Sequence, residues 1–174
     1  ICGCAIPEGS QGLNVARIGA VLAGLPTSVG GITVNRFCAS GLSAVQMAAD
    51  RIRVGEAEVM IAAGVESMSM VPMMGNSPSL SPSIFEREGD VGIAYGMGLT
   101  AEKVAQQWKV SRDAQDAFAL ASHQKALKAQ QAGEFTDEIT PIEVTDRTAD
   151  LDSGLNSGES IVSTRTVSLD EGAR

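Results

Sequence analysis

The chain has 174 residues, of which 44% are hydrophobic and 20% charged, so it can bury a core and wholesale disorder is excluded. Asp and Glu outnumber Lys and Arg by 21 to 13, and the net charge of −8 argues against nucleic acid as the main partner, because phosphate binding needs a basic surface. Three cysteines are too few for a disulfide framework, which favours a reduced, cytoplasmic setting, and the absence of an apolar run of about 18 residues predicts no membrane span.

The N-terminal part of the chain alternates between apolar segments and helix patterns. Ile1–Ile6 predicts a short buried strand that ends at Pro7, and Ser10 is the predicted cap of a helix that extends to about Leu25. Ile32–Val34 predicts a second strand because it is short and β-branched. Strand, helix and strand in this order are typical of a parallel α/β sheet.

A second helix is predicted directly after Ser40, with Gly55 as its stop. Its predicted apolar stripe follows helical spacing and comprises Leu42, Val45, Ala48, Ala49 and Ile52. Val59–Val65 is a continuous apolar run, which favours a strand that is buried on both faces of the sheet.

The sequence changes in character near Met70. The segment Met70–Gly92 is rich in Pro, Gly and Ser and lacks periodicity, so it predicts a long irregular loop of the kind that is usually functional or disordered. Two helices are predicted after this loop, capped by Thr100 and Ser111.

The second of these helices is predicted to end at Gly133. Its predicted inward residues are Ala114, Ala117, Phe118 and Ala121. Glu138–Val144 and Ser160–Val167 predict short strands, and Asp146–Gly158 between them is polar and turn-rich.

Cys38 is the strongest candidate for chemistry. It lies between a predicted strand and a predicted helix, where the positive end of the helix dipole and free backbone N–H groups favour a thiolate and can hold an oxyanion. Ala39, Ser40 and Gly41 are small, so an acyl group can approach closely. From its position alone, a buried and chemically inert cysteine is an equally good interpretation.

The other candidate residues favour structural roles. Cys2 and Cys4 share one face of a strand, but no cluster of Cys and His supplies the further ligands of a metal site. Glu66 at a strand end can order nearby loops or act as a general base, and we favour the first role. His123, the single histidine, is predicted at a solvated helix position, so the chain lacks an obvious base for Cys38.

Four segments of the chain resemble the thiolase family. The segment Asn35–Ala44 closely resembles the nucleophile motif of thiolases, and Gly64–Ser69 is similar to a second signature of that family. Met97–Ala105 and Ser111–Ser122 match two further segments. The four matches occur in the family's order over essentially the whole chain, and the similarity is greatest to bacterial degradative 3-ketoacyl-CoA thiolases.

The resemblance implies an α/β fold that is part of a five-layered α/β/α/β/α arrangement of two similar halves, with an α+β loop domain inserted in the first half. Residues 1–70 would then be a partial N-terminal thiolase domain that holds the nucleophile. Residues 71–174 would be an incomplete loop domain, which in the family covers the active site and contributes to coenzyme A binding. We therefore expect the chain to be a fragment cut at both ends.

The resemblance also implies a thiolytic reaction of fatty acid beta-oxidation. The Cys38 thiolate would attack the keto carbon of a 3-ketoacyl-CoA, acetyl-CoA would leave, and coenzyme A would take the shortened acyl group from the acyl-cysteine. The reverse reaction would be a Claisen condensation. The Cys38 backbone N–H would serve an oxyanion hole, and Met97 would lie near the acyl pocket.

The same resemblance implies a homodimer or homotetramer that uses coenzyme A as a substrate, without a tightly bound cofactor or a metal. Two catalytic motifs of the family do not occur in these 174 residues: the Gly-His-Pro motif of the catalytic histidine and the Cys-Gly-Gly-Gly type motif of the second cysteine. We therefore expect the isolated fragment to be inactive. Gly96 stands where some biosynthetic thiolases carry a histidine, which disfavours that subtype.

Three other functions compete with a thiolase. A non-catalytic thiolase-like protein that binds acyl-CoA or lipid ranks second, because the retained Cys38 favours catalysis. A 3-ketoacyl synthase usually carries Ala-Cys-Ser-Ser, which Phe37–Ser40 does not fit. A structural fragment with a redox-sensitive cysteine would be distinguished by the reactivity of Cys38 relative to Cys2 and Cys4.

Overall fold

The computed structural model describes residues 1–149 and 160–169, in two compact units, Ile1–Val91 and Gly92–Arg174. The first unit contains β1 (Cys2–Gly3), α1 (Val15–Leu22), β2 (Thr33–Val34), α2 (Ser40–Arg53) and β3 (Ala63–Gly64). The second contains α3 (Met97–Trp108), α4 (Arg112–Gln131), β4 (Ile142–Ala149) and β5 (Ser160–Val167). The assignment of residues 1–70 and 71–174 to two parts of a thiolase stays a prediction.

The first unit is built on a three-stranded parallel sheet with the order β2-β1-β3. In its register, Cys2 lies opposite Thr33 and Ala63, and Gly3 lies opposite Val34 and Gly64. The ladder continues past the strand ends, since the Cys4 N–H donates to the Val34 carbonyl at 3.0 Å. The expected parallel α/β sheet is therefore confirmed, with β1 at its centre.

Helix α1 begins later than the sequence predicts. Asn14 is the cap, because its Oδ1 accepts a hydrogen bond from the Arg17 N–H at 3.3 Å, and Ser10 lies instead in the 3-10 turn Gly9–Gln11. The Asn14 side chain also donates to the Gly31 carbonyl at 2.8 Å and accepts from Thr33 Oγ1 at 2.9 Å. This tie to β2 decides where the helix starts, and a sequence pattern does not reveal it.

Helix α2 packs against all three strands through small residues. Its buried residues are Ser40, Ala44 and Ala48, spaced one turn apart. Within the predicted apolar stripe, Ala48 is buried and Ala49 is half-buried, whereas the larger residues Leu42, Val45 and Ile52 are exposed. Small side chains on the sheet-facing side let the helix approach the strands closely.

The strand expected over Val59–Val65 is reduced to the two residues of β3, Ala63 and Gly64. Both are exposed, as are Val59 (82%) and Ile61 (61%), so the prediction of a strand buried on both faces was wrong. Such burial needs a layer on each side of the sheet, and the main helix contact of β3 in the described residues is with α2.

The start of the expected irregular loop is tied to the first unit. The Glu8 carboxylate accepts hydrogen bonds from both the backbone N–H and the Nδ2 group of Asn76. Gly75 lies in the left-handed region at φ +85°, and Val71 is fully buried. These contacts explain why the first compact unit continues beyond Met70.

The second unit confirms some helix signals and corrects others. The cap at Ser111 is confirmed, because its Oγ accepts from the Ala114 N–H at 3.2 Å, and the stop at Gly133 is confirmed by its φ of +71°. Helix α3 begins at Met97, three residues before the predicted cap Thr100. Phe118, expected to face inward, is 78% exposed.

Strands β4 and β5 form an antiparallel hairpin in which Ile142 lies opposite Val167. The bounds of β5 match the prediction, whereas β4 starts later than Glu138 and continues to Ala149, four residues into the segment expected to be turn-rich. Residues 150–158 of that segment lie outside the described residues. Among the helices of the described part, none combines the length and apolar character needed to cross a bilayer.

Candidate active site

Cys38 lies on the short turn between β2 and α2, two residues before the helix begins at Ser40. The predicted position at a helix N-terminus is therefore confirmed. The Cys38 side chain is exposed, so it is not the buried cysteine of the alternative interpretation. Its chemical role stays a prediction.

The turn before Cys38 contains an unusual backbone conformation. Phe37 has φ +47°, in the left-handed region, which costs a residue with a Cβ about 1–2 kcal/mol. The Phe37 N–H donates to Asn35 Oδ1 at 2.8 Å, and the Ala39 N–H donates to the Arg36 carbonyl at 3.0 Å. The conformation is therefore supported by hydrogen bonds on both sides of Phe37.

Ser40 closes the same turn from the helix side. Its Oγ accepts from the Arg36 N–H at 2.8 Å and donates to the Phe37 carbonyl at 2.6 Å. The Ser40 backbone N–H donates to the same carbonyl at 3.0 Å. Ser40 is only 4% exposed, so these bonds lie in a protected position.

Gly3 allows the start of α2 to lie directly against the centre of the sheet. A Cβ at position 3 would be 2.5 Å from the Ser40 carbonyl carbon and 2.6 Å from the Gly41 nitrogen, closer than real Cβ contacts. The strand and the helix N-terminus therefore fit together only with glycine. This contact holds the N-terminus of α2 against β1, and Cys38 directly precedes that positive end of the helix dipole.

Glu66 joins its own segment to two others near the strand ends, at Ala5–Ile6 and at Gln11. Its carboxylate accepts from the Ala5 N–H at 2.7 Å, from the Ile6 N–H at 3.3 Å and from Gln11 Nε2. Gln11 is buried and also accepts from the Ser67 N–H at 2.7 Å. These bonds give Glu66 the loop-ordering role that the sequence favours.

Cys2 and Cys4 are free thiols with surroundings unlike those of Cys38. Burial raises the pKa of both thiols, and the nearby Glu66 carboxylate raises the pKa of Cys4 further. Both are buried, which keeps them protonated and shielded from reagents. The exposed Cys38 is therefore the accessible thiol of the first unit.

Met97 and His123 belong to the second unit. Met97 is the first residue of α3 and is 63% exposed. His123 is an exposed residue of α4, in agreement with the predicted solvated helix position. Cys38 belongs to the first unit, so the role of Met97 near an acyl pocket stays a prediction.

Residues 1–149 and 160–169 contain no group of three or more His, Cys, Asp and Glu side chains that is suited to a metal ion. The sequence did not indicate the supporting roles of Gly3, Asn35 and Ser40. An Asn two residues before Phe37 is a recognisable signal for a side-chain-supported turn. No local signal marks Gly3, because its partner is the distant start of α2.

Comparison with known proteins gives a consistent result. Residues 1–171 match the family described as "Thiolase, N-terminal domain". The chain is 51% identical over 145 residues to the 3-ketoacyl-CoA thiolase of Bacillus subtilis (strain 168), covering 83% of this chain and 37% of that protein. It is 40% identical over 177 residues to a probable acetyl-CoA acyltransferase of Staphylococcus aureus (strain COL), covering 96% of this chain and 42% of that protein.

The fold is similar to a solved structure, the 1.8 Å crystal structure of the dimeric peroxisomal thiolase of Saccharomyces cerevisiae. The TM-score is 0.77 at 32% sequence identity, and the match covers 99% of this chain and 40% of the yeast chain. The predicted α/β fold class is thereby confirmed. The chain spans about 40% of the length of the relatives that it matches.

Proposed function

Because this chain belongs to the thiolase family through its N-terminal domain, we propose that the protein carrying it is an acetyl-CoA C-acyltransferase that cleaves 3-ketoacyl-CoA. The observation that carries the proposal is the exposed Cys38 thiol at the N-terminus of α2, within the segment that resembles the family's nucleophile motif. An exposed thiol at the positive end of a helix is suited to nucleophilic attack.

In the first half-reaction, the Cys38 thiolate attacks the keto carbon of 3-ketoacyl-CoA. The bond between the second and third acyl carbons then breaks, and the second carbon takes a proton, so that acetyl-CoA leaves. The remaining acyl group is bound to Cys38 as a thioester. In the second half-reaction, coenzyme A loses its thiol proton, its sulfur attacks the acyl carbon, and the Cys38 thiolate leaves.

This chain supplies the nucleophile and part of its electrostatic environment. Negative charge develops on the carbonyl oxygen in both half-reactions, and backbone N–H groups at the N-terminus of α2 are suited to stabilise it. The base and the second cysteine of the family come from motifs that these 174 residues do not contain. We therefore propose that the chain alone performs no turnover.

We further propose how the substrate is bound, which oligomer forms and where the protein acts. Residues 71–174 would cover the site as a loop domain and contribute to coenzyme A binding, with Met97 near the acyl chain. Coenzyme A would be a substrate, without a tightly bound cofactor. We propose a cytoplasmic homodimer or homotetramer that acts in fatty acid beta-oxidation; the dimeric state of the yeast relative and the three free cysteines support this.

The acyl-enzyme is the direct test. The full-length protein is incubated with acetyl-CoA and its intact mass is measured, followed by peptide mapping of the modified residue. We expect one acetyl group on Cys38, absent in Cys38→Ala and retained in the matched control Cys2→Ala, which removes a buried thiol. Acetylation that persists in Cys38→Ala would contradict the proposal.

A second measurement separates catalysis from binding alone. Thiolysis of acetoacetyl-CoA by the full-length protein should be abolished by Cys38→Ala. Tight acyl-CoA binding without transfer by the wild type would favour the non-catalytic alternative. Thiolysis by the isolated 174-residue chain would contradict the expectation that the fragment is inactive.

A further inference from the structure

We infer that Ser40 is a positioning residue for the nucleophile, whose hydroxyl holds the turn that presents the Cys38 thiol to the substrate. The inference rests on the proposed function of Cys38 and adds a second residue to that site. It depends on three features of the turn. These are the two hydrogen bonds of the Ser40 hydroxyl, the left-handed backbone of Phe37, and a Cys38 thiol that no hydrogen bond within the described residues orients.

The Ser40 hydroxyl connects the two ends of the turn with one oxygen atom. It accepts from the Arg36 N–H at 2.8 Å and donates to the Phe37 carbonyl at 2.6 Å. Cys38 lies between these backbone groups and Ser40 itself. The hydroxyl therefore adds a side-chain link across the nucleophile loop to the two backbone hydrogen bonds there, from the Ala39 N–H to the Arg36 carbonyl and from the Ser40 N–H to the Phe37 carbonyl.

The turn needs this link because Phe37 lies at φ +47°. A residue with a Cβ prefers negative φ, so without support the turn would move towards a more common conformation. Asn35 supports it from the exposed side, through the 2.8 Å bond from the Phe37 N–H. Ser40 supports it from the side of the helix, where its burial limits replacement by water.

The direction of the Cys38 thiol depends on the backbone of this turn. Within residues 1–149 and 160–169, the thiol has no hydrogen bond of its own that would orient it. The side chain therefore follows any shift of the Phe37–Cys38 backbone. Covalent catalysis is sensitive to such shifts, since a misplacement of about 1 Å can reduce the rate about 100-fold.

The hydroxyl is required because the turn needs a donor and an acceptor on one short side chain. Threonine carries the same pair, whereas alanine carries neither. Ser43 provides a matched control, since it lies one turn further along α2 and its hydroxyl has no partner among the described residues. Comparing Ser40→Ala with Ser43→Ala therefore distinguishes the effect of losing the hydrogen bonds across the turn from the effect of removing any hydroxyl from α2.

The test compares Ser40→Ala, Ser40→Thr, Asn35→Ala and the control Ser43→Ala in the full-length protein. Two quantities are measured: the rate at which iodoacetamide alkylates Cys38, followed by peptide mass spectrometry, and kcat and KM for thiolysis of acetoacetyl-CoA. Circular dichroism at the assay temperature identifies any variant that is not folded.

We expect Ser40→Ala to lower kcat by about 10- to 100-fold with KM changed by less than about twofold, because the thiol is misplaced after the substrate is bound. The alkylation rate of Cys38 should change at least threefold, on the order of the loss of a single orienting hydrogen bond. Ser40→Thr should restore most of kcat, and Asn35→Ala should lower kcat in the same way as Ser40→Ala but less. Ser43→Ala should match the wild type.

The inference is overturned if folded Ser40→Ala matches Ser43→Ala in kcat and in alkylation, or if it only lowers the melting temperature. If Ser40→Ala does not fold, Asn35→Ala decides: a lowered kcat at unchanged KM supports the inference, and a wild-type kcat overturns it. A wild type that transfers no acyl group would instead overturn the proposed function. The alkylation rates would then still report whether Ser40 orients Cys38.

Discussion

The two compact units of this chain are stabilised in different ways. In the described residues, all side chains that are buried belong to the first unit: Cys2, Cys4, Gln11, Ser40, Ala44, Ala48 and Val71. Polar side chains also join distant segments there, as Glu66 does with Ala5, 61 residues away. In the second unit, α3 and α4 bury no residue. The ion pair Arg112–Asp116 lies within α4, at i,i+4 spacing.

The comparison shows where precise geometry is available. A nucleophile must be held in a defined position, and contacts between segments far apart in sequence restrict a backbone more than bonds within one helix. The second unit has cross-strand contacts in its hairpin, such as the ion pair between Arg165 and Asp146, but Cys38 lies in the unit whose contacts join segments 61 residues apart. Mutations should therefore cost more stability in the first unit than comparable mutations in the second.

The largest effect is expected for Gly3→Ala. The new Cβ would lie 2.5 Å from the backbone of Ser40, so either β1 or the start of α2 must move. We expect a loss of about 2–3 kcal/mol in the free energy of unfolding, measured by urea denaturation of the full-length protein, together with altered alkylation of Cys38.

Gly19→Ala is the matched control, since Gly19 lies in α1 and a methyl group added there would have no neighbouring atom within 4 Å. This change should stabilise the protein by up to about 1 kcal/mol, because alanine favours the helix. Equal effects of the two substitutions would refute the close approach of β1 and α2.

Glu66→Ala is expected to have the next largest effect. It leaves the Ala5 and Ile6 N–H groups and the buried Gln11 amide without their carboxylate partner. Hydrogen bonds to a charged group are worth about 1.5–3 kcal/mol, and partial exposure of this site places the expected loss near ~2 kcal/mol. Glu58→Ala, at an exposed glutamate of the same unit, should change stability by less than about 0.5 kcal/mol.

The buried thiols should make the first unit sensitive to alkaline pH. Burial raises the folded-state pKa of Cys2 and Cys4, so the folded protein keeps protons that the unfolded chain releases. The protonated thiols contribute fully to the free energy of unfolding below the ordinary thiol pKa of about 8.5, and this contribution is lost as the pH rises above it.

Urea denaturation at pH 7 and pH 10 measures this dependence. Cys4→Ala should reduce the loss of stability between the two pH values. Val71→Ala, at an equally buried residue without a thiol, should destabilise the protein but leave the pH dependence unchanged. An unchanged pH dependence in Cys4→Ala would contradict the prediction.

The smallest effect is expected in the second unit. Arg112 lowers the pKa of the exposed Asp116 carboxyl. The ion pair therefore stabilises the folded protein at pH values above the ordinary pKa range of carboxyl groups, and this stabilisation is lost as the pH falls through that range. Exposed pairs contribute little, so Arg112→Ala should barely move the urea midpoint at neutral pH. If Arg112→Ala lowered the free energy of unfolding as much as Glu66→Ala, the two units would not differ in how their polar contacts stabilise them.

Local signals in the sequence predicted several element ends correctly. The cap at Ser111, the glycines at positions 55 and 133 and the bounds of β5 all agree with the structure. The cap and the two glycine stops depend on hydrogen bonds or backbone angles within a few residues, so a short window of sequence contains their cause. The bounds of β5 also depend on its pairing with β4.

Predictions of burial were less successful for a physical reason. The larger apolar residues of α2, the run Val59–Val65 and Phe118 all look like core positions, but they are exposed in the described structure. Periodicity shows which residues share a face, whereas burial depends on which distant segment packs against that face. On α2 the sheet instead meets the small residues Ser40, Ala44 and Ala48.

The sequence by itself determined that the chain forms a parallel α/β sheet, that Cys38 stands at the start of a helix and that its turn resembles the thiolase nucleophile motif. Only the tertiary structure decided that Gly3 lies under that helix and that Glu66 joins three segments. The hydrogen bonds of the Ser40 hydroxyl and the left-handed backbone of Phe37 were likewise decided only by the tertiary structure. The reason is that helix and turn formation depend on neighbouring residues, whereas close packing depends on segments that meet only after the chain has folded.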